Sequence, residues 1–372
     1  MKVEGKPYQS VWLNESDASQ VCVIDQRVLP HEFKVLALAG YEAMRDAIAD
    51  MAIRGAPLIG VCAAYGMYLA AHQSPEDNFK SYLQSAAAEL RAARPTAVNL
   101  AWAIDEQIKQ LEAARSKQHA VQLLLENAQQ LAAADVEICR MIGVHGLQLV
   151  RDLAQQKQGK PVQVLTHCNA GWLATTDWGT ATSVIYQAFD AGIPIHVWVD
   201  ETRPRNQGAA LTAWELGQHS VPYTLITDNA GGHLMQNGMV DMVIVGTDRT
   251  TRGGDVANKI GTYLKALAAD ANGVPFFVAL PSSSIDWDIV DGREIPIEER
   301  SAHEVKYVAG LDAADGKTKS VLVSPEDARA ANFGFDVTPR HLVTALITER
   351  GICAANEEGL LHLFPERTAL PL

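Results

Sequence analysis

VQVLTHC (162–168), IHVWVD (195–200), YTLITD (223–228), MVIVGTD (242–248) and PFFVAL (275–280) are five short runs rich in β-branched and aromatic residues, each closed by a polar turn. The first four turns lead into segments compatible with a helix. Strands alternating with helices at this spacing predict βαβ crossovers and a parallel sheet buried on both faces. Ahead of them the texture differs. From residue 41 to about 157 the chain is rich in Ala, Leu, Gln and Glu, with apolar residues at helical spacing. Val121, Leu124, Leu125, Ala128, Leu131 and Ala132 form one such stripe, and Gly and Pro are absent between Thr96 and Ile142. Strand-like stretches precede it around Val11 and from Cys22 to Ile24. The polar run QQKQGKP, Gln155 to Pro161, reads as a boundary. The expected fold is α/β: a small, mainly helical N-terminal domain with a few short strands over residues 1–157, and a Rossmann-like parallel-sheet C-terminal domain over 158–372.

The length of 372 residues exceeds what one hydrophobic core usually supports, which agrees with two domains. A formal net charge of −13 argues against nucleic acid and against anionic membrane surfaces as general partners. It leaves room for one phosphate, which needs only a local pocket. MKVEGKPYQS lacks the apolar core of a signal peptide, and PLIGVCAAYGMYLAA (57–71) is too short for a membrane span. Cys22, Cys62, Cys139, Cys168 and Cys353 are scattered, odd in number and free of CxxC spacing, as expected of reduced thiols in the cytoplasm.

Ligands of open parallel sheets bind beyond the carboxyl ends of the strands. Those ends carry Thr166, His167 and Cys168; Asp200, Glu201 and Arg203; Asp228; Asp248 and Arg249; Pro281 and Ser282. Any one of the carboxylates alone is as well explained as a turn or cap residue. Cys168 is either an inert buried hydrophobe or a thiol near the start of a helix expected at Asp177 or Trp178, where its pKa would fall. GTDRTTRGGDVANKIGTYLKALAA (246–269) predicts a helix from Asp255, with Val256, Ile260, Tyr263, Leu264 and Leu267 on one face. Asn258 and Lys259 would then occupy its first turn, where a bound anion would offset the clash between lysine and helix dipole. A lysine reaching to solvent is the plainer alternative. Arg54 in IRGAP and Arg94 in RPT are surface arginines or bidentate phosphate ligands. Neither GxGxxG, HExxH nor GxSxG occurs, and no His/Cys/Asp group has metal-ligand spacing. GLDAADGKTK (310–319) misses the phosphate-loop spacing by one residue and reads as a surface insertion. Neither a nucleotide cofactor nor a metal is expected.

RGAPLIGVCAAYG (54–66), RPTAVNLAW (94–102), THCNAGWLAT (166–175), DETRPRNQGAALTAWEL (200–216), VGTDRTTRGGDVANKIGTY (245–263) and NFGFDVTP (332–339) follow one another across most of the chain. Together, with IDQRVLP (24–30), they closely resemble the methylthioribose-1-phosphate isomerases, whose superfamily includes regulatory subunits of translation initiation factor 2B. The resemblance implies a homodimeric aldose–ketose isomerase of methionine salvage acting on a sugar phosphate. It makes Cys168 and Asp248 the catalytic pair. It makes Arg54, Gly55, Ala56, Arg94, Gln207, Asn258 and Lys259 phosphate or sugar contacts. Departures from the family pattern are Thr247 and Thr250 around the aspartate, Ala210 in place of an arginine, and Trp172 after NAG, expected near the pocket. Rival readings are isomerases of 5-deoxyribose 1-phosphate or ribose 1,5-bisphosphate, and a non-catalytic binding protein of the translation-factor type.

Overall fold

The computed structural model describes residues 1–94 and 97–369, so Pro95 and Thr96 of the RPT turn lie outside the described residues. Three antiparallel strands, β1 (Val11–Leu13), β2 (Val21–Ile24) and β3 (Val35–Leu38), lead into the helices α1 (Tyr41–Ala49), α2 (Ala56–Gln73), α3 (Phe79–Ala92), α4 (Val98–Glu112) and α5 (Lys117–Gln156). A helix that is apolar all round belongs inside a core. α2 is such a helix, buried from Leu58 to Ala71, with α3, α4 and α5 packed about it. At 40 residues α5 is about 60 Å long. It serves two cores: Leu124, Ala128 and Ala132 of the expected stripe face α2, whereas Ile142 and Val150 join the core beneath the main sheet.

That sheet contains all five expected strands: β4 (Val162–Thr166), β5 (Ile195–Asp200), β6 (Tyr223–Ile226), β7 (Met242–Val245) and, after an intervening hairpin, β10 (Phe276–Ala279). The hairpin is β8 (Arg249–Thr251) and β9 (Val256–Lys259), and β9 pairs in turn with β11 (Phe335–Thr338). β12 (Ala345–Thr348) and β13 (Gly351–Cys353) complete the main sheet in the order β13-β12-β10-β7-β4-β5-β6. All neighbours run parallel except β13, an antiparallel edge. β7 and β10 are buried at every position, as central strands covered on both faces must be. The chain steps outward from β4 to β6 and then returns to place β7 on the other side of β4. The switch point therefore lies between β4 and β7, and their carboxyl ends deliver Cys168 and Asp248.

Two expected helices are corrected. Residues 256–259 are a strand, not a first helical turn. Gly254 (φ 95°) turns the chain into the β8–β9 hairpin, and Gly261 (φ 103°) delays the helix α9 to Thr262–Ala271. Its buried face is Thr262, Lys265, Ala266 and Ala269, whereas Leu264 and Leu267 are exposed. The helix after NAGW, α6, begins at Ala181 and ends at Asp190, because Trp178 (φ 70°) and Gly179 (φ 78°) hold the preceding turn in the left-handed region. GLDAADGKTK forms part of an exposed β-hairpin, Tyr307–Asp312 with Lys317–Leu322.

α5 and α6 approach closely at Gly146, where a Cβ would lie 2.4 Å from Cγ2 of the buried Val184. Gly146→Val should cost about 1–3 kcal/mol by overpacking, even though it raises helix propensity. Urea unfolding checks this; a midpoint at or above that of the wild type would show the contact to be slack.

Candidate active site

Two residues beyond the end of β4, Cys168 has φ 66°, a conformation a cysteine rarely adopts and holds only where its surroundings impose it. Three contacts do so. Its N–H donates to Thr202 Oγ1 (2.8 Å), its carbonyl accepts from Thr212 Oγ1 (2.7 Å), and its thiol donates to Gln207 Oε1 (3.5 Å). Thr202 is itself left-handed (φ 64°) and donates back to the Asp200 carbonyl. Gln207 and Thr212 bracket a single π turn, Gly208–Thr212, a distortion common at functional sites. Gly208 is required there, since a Cβ would lie 1.7 Å from the Asp200 carbonyl oxygen.

Across the switch point, half-buried Asp248 lines two adjoining clefts of about 40 and 30 Å³, together with Gly55 and Ala56. Cys168 and Asn258 face the smaller cleft and Arg94 the larger. Gly55 (φ 98°) is pressed onto Ala174 so closely that a Cβ would lie 2.4 Å from its Cα. That contact seats the amino end of α2 on the sheet edge, and free helix amides with their dipole make an anion site. Arg54, just ahead of it, is tied by Nη1 to Asn169 Oδ1 (2.5 Å) and by Nη2 to the Asn169 carbonyl (2.8 Å), leaving its other donors for a ligand.

β9 supplies Asn258 and Lys259 as strand neighbours. Asn258 is anchored through Nδ2 to Thr262 Oγ1 (3.0 Å). Lys259 Nζ donates to the Gly334 carbonyl (2.9 Å) and lies 4.7 Å above the Phe335 ring. Arg94 pairs with Glu298 at 3.5 Å. Ile295–Ile297 and Phe335 close the larger cleft, and both clefts are far below the roughly 300 Å³ at which small-molecule pockets begin. Admission of a sugar phosphate therefore requires these covering segments to move. A separate cavity of about 240 Å³ adjoins Arg54 and Gln207 on the other side.

Burial governs the protonation of the reactive groups. It pushes the Cys168 thiol up, against the opposing pull of Arg54 and Lys259. It likewise raises the Asp248 carboxyl, against Lys259, Arg54 and Arg94, and lowers Lys259, against Cys168 and Asp248. All three groups are driven toward their neutral forms. This corrects the lowered thiol pKa expected for Cys168. The nearest following α-helix starts thirteen residues later at Ala181, and desolvation outweighs the nearby cations.

Of the expected residues, Arg54, Gly55, Ala56, Arg94, Cys168, Asp248 and Asn258 line the two clefts, whereas Gln207 meets Cys168 from the separate cavity and Lys259 lines neither cleft; several supporting groups escape sequence reading. Asn169, Thr202, Thr212 and Glu215 are buried polar residues whose importance lies in hydrogen bonds that no motif spacing marks. His167, Asp200 and Asp228 converge within 4.8 Å although their spacing in the chain does not mark a metal site. A cation is already present there, for Lys265 Nζ lies 3.1 Å from Asp200, while Asp228 accepts the Thr202 and Arg203 amides. His167 spans Asp200 (2.8 Å) and the Ile260 carbonyl (2.9 Å), tying the foot of β4 to the turn before α9. Trp172, expected near the pocket, instead lies wholly buried in the core, its ring 6.0 Å from that of Trp214.

Residues 52–355 match the initiation factor 2 subunit family. A methylthioribose-1-phosphate isomerase of Methylocella silvestris is 58% identical over 371 residues, covering 99% of this chain and all of that one, and a Brucella anthropi protein of the same name is 57% identical over 370. The chain belongs to the methylthioribose-1-phosphate isomerase family. Among solved structures, the 5-methylthioribose 1-phosphate isomerase of Pyrococcus horikoshii OT3 aligns with TM-score 0.83 at 38% identity, covering 97% of both chains. A structure described as translation initiation factor eIF-2B subunit delta from A. fulgidus aligns with TM-score 0.80 at 37% identity, covering 96% of this chain and all of that one. The isomerase family and the translation factors thus share one fold, and among the described residues no helix is long and apolar enough to cross a membrane.

The raised thiol gives a chemical expectation. Less of Cys168 than of an ordinary thiol should be thiolate at pH 7, because burial raises it. Iodoacetamide should therefore label it more slowly than an ordinary thiol, with a rate that climbs steadily to pH 9 and beyond. Fast labelling independent of pH, read by peptide mass spectrometry, would contradict this.

Proposed function

We propose that this isomerase converts S-methyl-5-thio-α-D-ribose 1-phosphate into S-methyl-5-thio-D-ribulose 1-phosphate, a step of methionine salvage, with Asp248 and Cys168 as its catalytic pair. The observation that carries the residue assignment is their convergence at the switch point, beside the amino end of α2. We place the enzyme in the cytoplasm as a homodimer, on the resemblance to its family and the scattered cysteines.

The phosphate takes the amides of Gly55, which caps α2, and of Ala56, its first residue, with Arg54, Arg94 and Lys259, while Gln207 and Asn258 hold sugar hydroxyls. A dianion arriving there favours charged Lys259 and further favours protonated Asp248. Because C1 carries the phosphate, the furanose ring opens only if the ring oxygen is protonated as its bond to C1 breaks. Asp248, whose carboxyl burial pushes up, gives that proton. Hydrogen then moves from C2 to C1, and the O2 proton returns to the carboxylate that Asp248 has become, leaving a C2 ketone. Two routes exist for the hydrogen. A Cys168 thiolate removes it as a proton and returns it through an enediolate, or it shifts directly as hydride with the thiol held beside the sugar oxygens. The raised thiol pKa supports the second route.

The translation-factor reading has one observation in its favour, the 37% identical structure described as an eIF-2B subunit. A binding subunit, however, has no use for a buried acid and thiol at the switch point.

Turnover of the methylthio sugar phosphate, followed by NMR, should fall by about 10²–10⁴-fold in Asp248→Asn and Cys168→Ala. Unchanged turnover in either removes that residue from the pair. No turnover by folded wild type sends the assay to 5-deoxyribose 1-phosphate and ribose 1,5-bisphosphate, and failure there favours the binding protein. In heavy water the C1 position of the product should stay free of deuterium; substantial incorporation sinks the hydride route.

A further inference from the structure

Glu215, on the short helix α7 (Ala213–Gln218), has no exposed surface and touches none of the proposed reacting groups. Its carboxyl nevertheless has four hydrogen-bond donors. Oε1 accepts from Leu173 N–H (2.9 Å) and Asn169 Nδ2 (3.0 Å). Oε2 accepts from Trp172 N–H (3.1 Å) and the Tyr186 hydroxyl (3.1 Å). A carboxylate offers about four acceptor positions, and here all are used. Gly171 leaves the space for this, since a Cβ there would lie 1.7 Å from Oε2.

The chain of bonds is directional. Thr212 Oγ1 gives its hydrogen to the Cys168 carbonyl, so it can only accept from Asn169 Nδ2 (3.1 Å). Both Nδ2 hydrogens of Asn169 are then committed, one to Thr212 and one to Glu215. The amide is locked with its oxygen toward Arg54, which it holds at Nη1 while the Asn169 carbonyl holds Nη2. Without an acceptor at Glu215, one Nδ2 hydrogen loses its partner, and only Thr212 and Arg54 itself remain to hold the Asn169 amide in this orientation.

We propose that Glu215 is a positioning residue for the phosphate site: through Asn169 it fixes the Arg54 fork in its anion-binding orientation, and so sets substrate affinity without taking part in the chemistry. The inference rests on the reading of Arg54 as a phosphate ligand. Burial lifts Glu215 to about 7, opposed by the donors around it and by Arg54, so an ionisable group is held here at a desolvation cost that core packing alone would not require.

Glu215→Gln keeps the shape but removes the charge and one acceptor oxygen, and its NH₂ faces a backbone N–H, Leu173 or Trp172, whichever way the amide turns. Folding is checked by circular dichroism and melting temperature. KM for the sugar phosphate and the inhibition constant of inorganic phosphate should both rise at least about tenfold, the size of one lost charge-assisted hydrogen bond, with kcat within about threefold. Tyr186→Phe, which removes a different donor from Glu215 and leaves Asn169 in place, should leave both constants near wild type. Arg54→Lys tests the underlying reading. If it raises both constants and Glu215→Gln does not, the positioning role is overturned and the phosphate site stands. If Arg54→Lys changes neither constant, the assignment of Arg54 fails and the inference with it. A fall in kcat at constant KM for Glu215→Gln also overturns it. Should Glu215→Gln not fold, Asn169→Ala interrupts the same chain and must show the same rise in both constants; unchanged constants there refute the proposal.

Discussion

Partial desolvation of the groups at the carboxyl ends of β4 and β7 is the constraint on which the rest of the site depends. A thiol and a carboxyl line one narrow cleft with the Lys259 amine in electrostatic reach of both, and desolvation pushes each of the three toward its neutral form despite the opposite charges nearby. In water the same three groups would be thiol, carboxylate and ammonium at pH 7. An acid that keeps its proton near neutrality is what opening a phosphorylated furanose ring needs, and burial is the means by which proteins supply one.

The fold builds this edge from contacts far apart in sequence. The helical half contributes the amino end of α2, brought onto the sheet by the close passage of Gly55 over Ala174. The sheet contributes β4 and β7 at the switch point. The hairpin β8–β9 and β11 form a wall carrying Asn258, Lys259 and Phe335, and the Arg94–Glu298 pair joins that wall to the helices. Long α5, shared between both cores, makes the two halves depend on each other mechanically. The same arrangement explains the likeness to translation factors: the scaffold is common, and the particular groups at its switch point decide what it does.

Much of this is legible in the sequence because the relevant signals are local. Five β-branched runs mark five strands, and the stripe from Val121 to Ala132 marks the helical half. The rule that ligands meet strand ends includes Cys168 and Asp248 among several strand-end residues, and the resemblance to the family is what singles out the pair. Local reading also has its failures. DVANKIGTYLKALAA has helical spacing throughout, yet left-handed Gly254 just ahead of it and Gly261 within it make it a strand and then a helix, so Lys259 reaches the site by a different route. The direction of the thiol pKa is beyond local reading because the depth of burial depends on what the rest of the chain places above a residue. Asn169, Thr212 and Glu215 are invisible for a related reason: their roles exist only in the hydrogen bonds that folding creates.

The state of Asp248 tests this view most directly. Carboxyl ¹³C labelling of aspartate, with the Asp248 resonance identified by its loss in Asp248→Asn, gives its titration by NMR in the folded enzyme. The expected midpoint lies clearly above the ordinary aspartate value of about 4. A midpoint at or below that value would mean that Lys259, Arg54 and Arg94 outweigh burial, and that the cleft holds a carboxylate and not an acid.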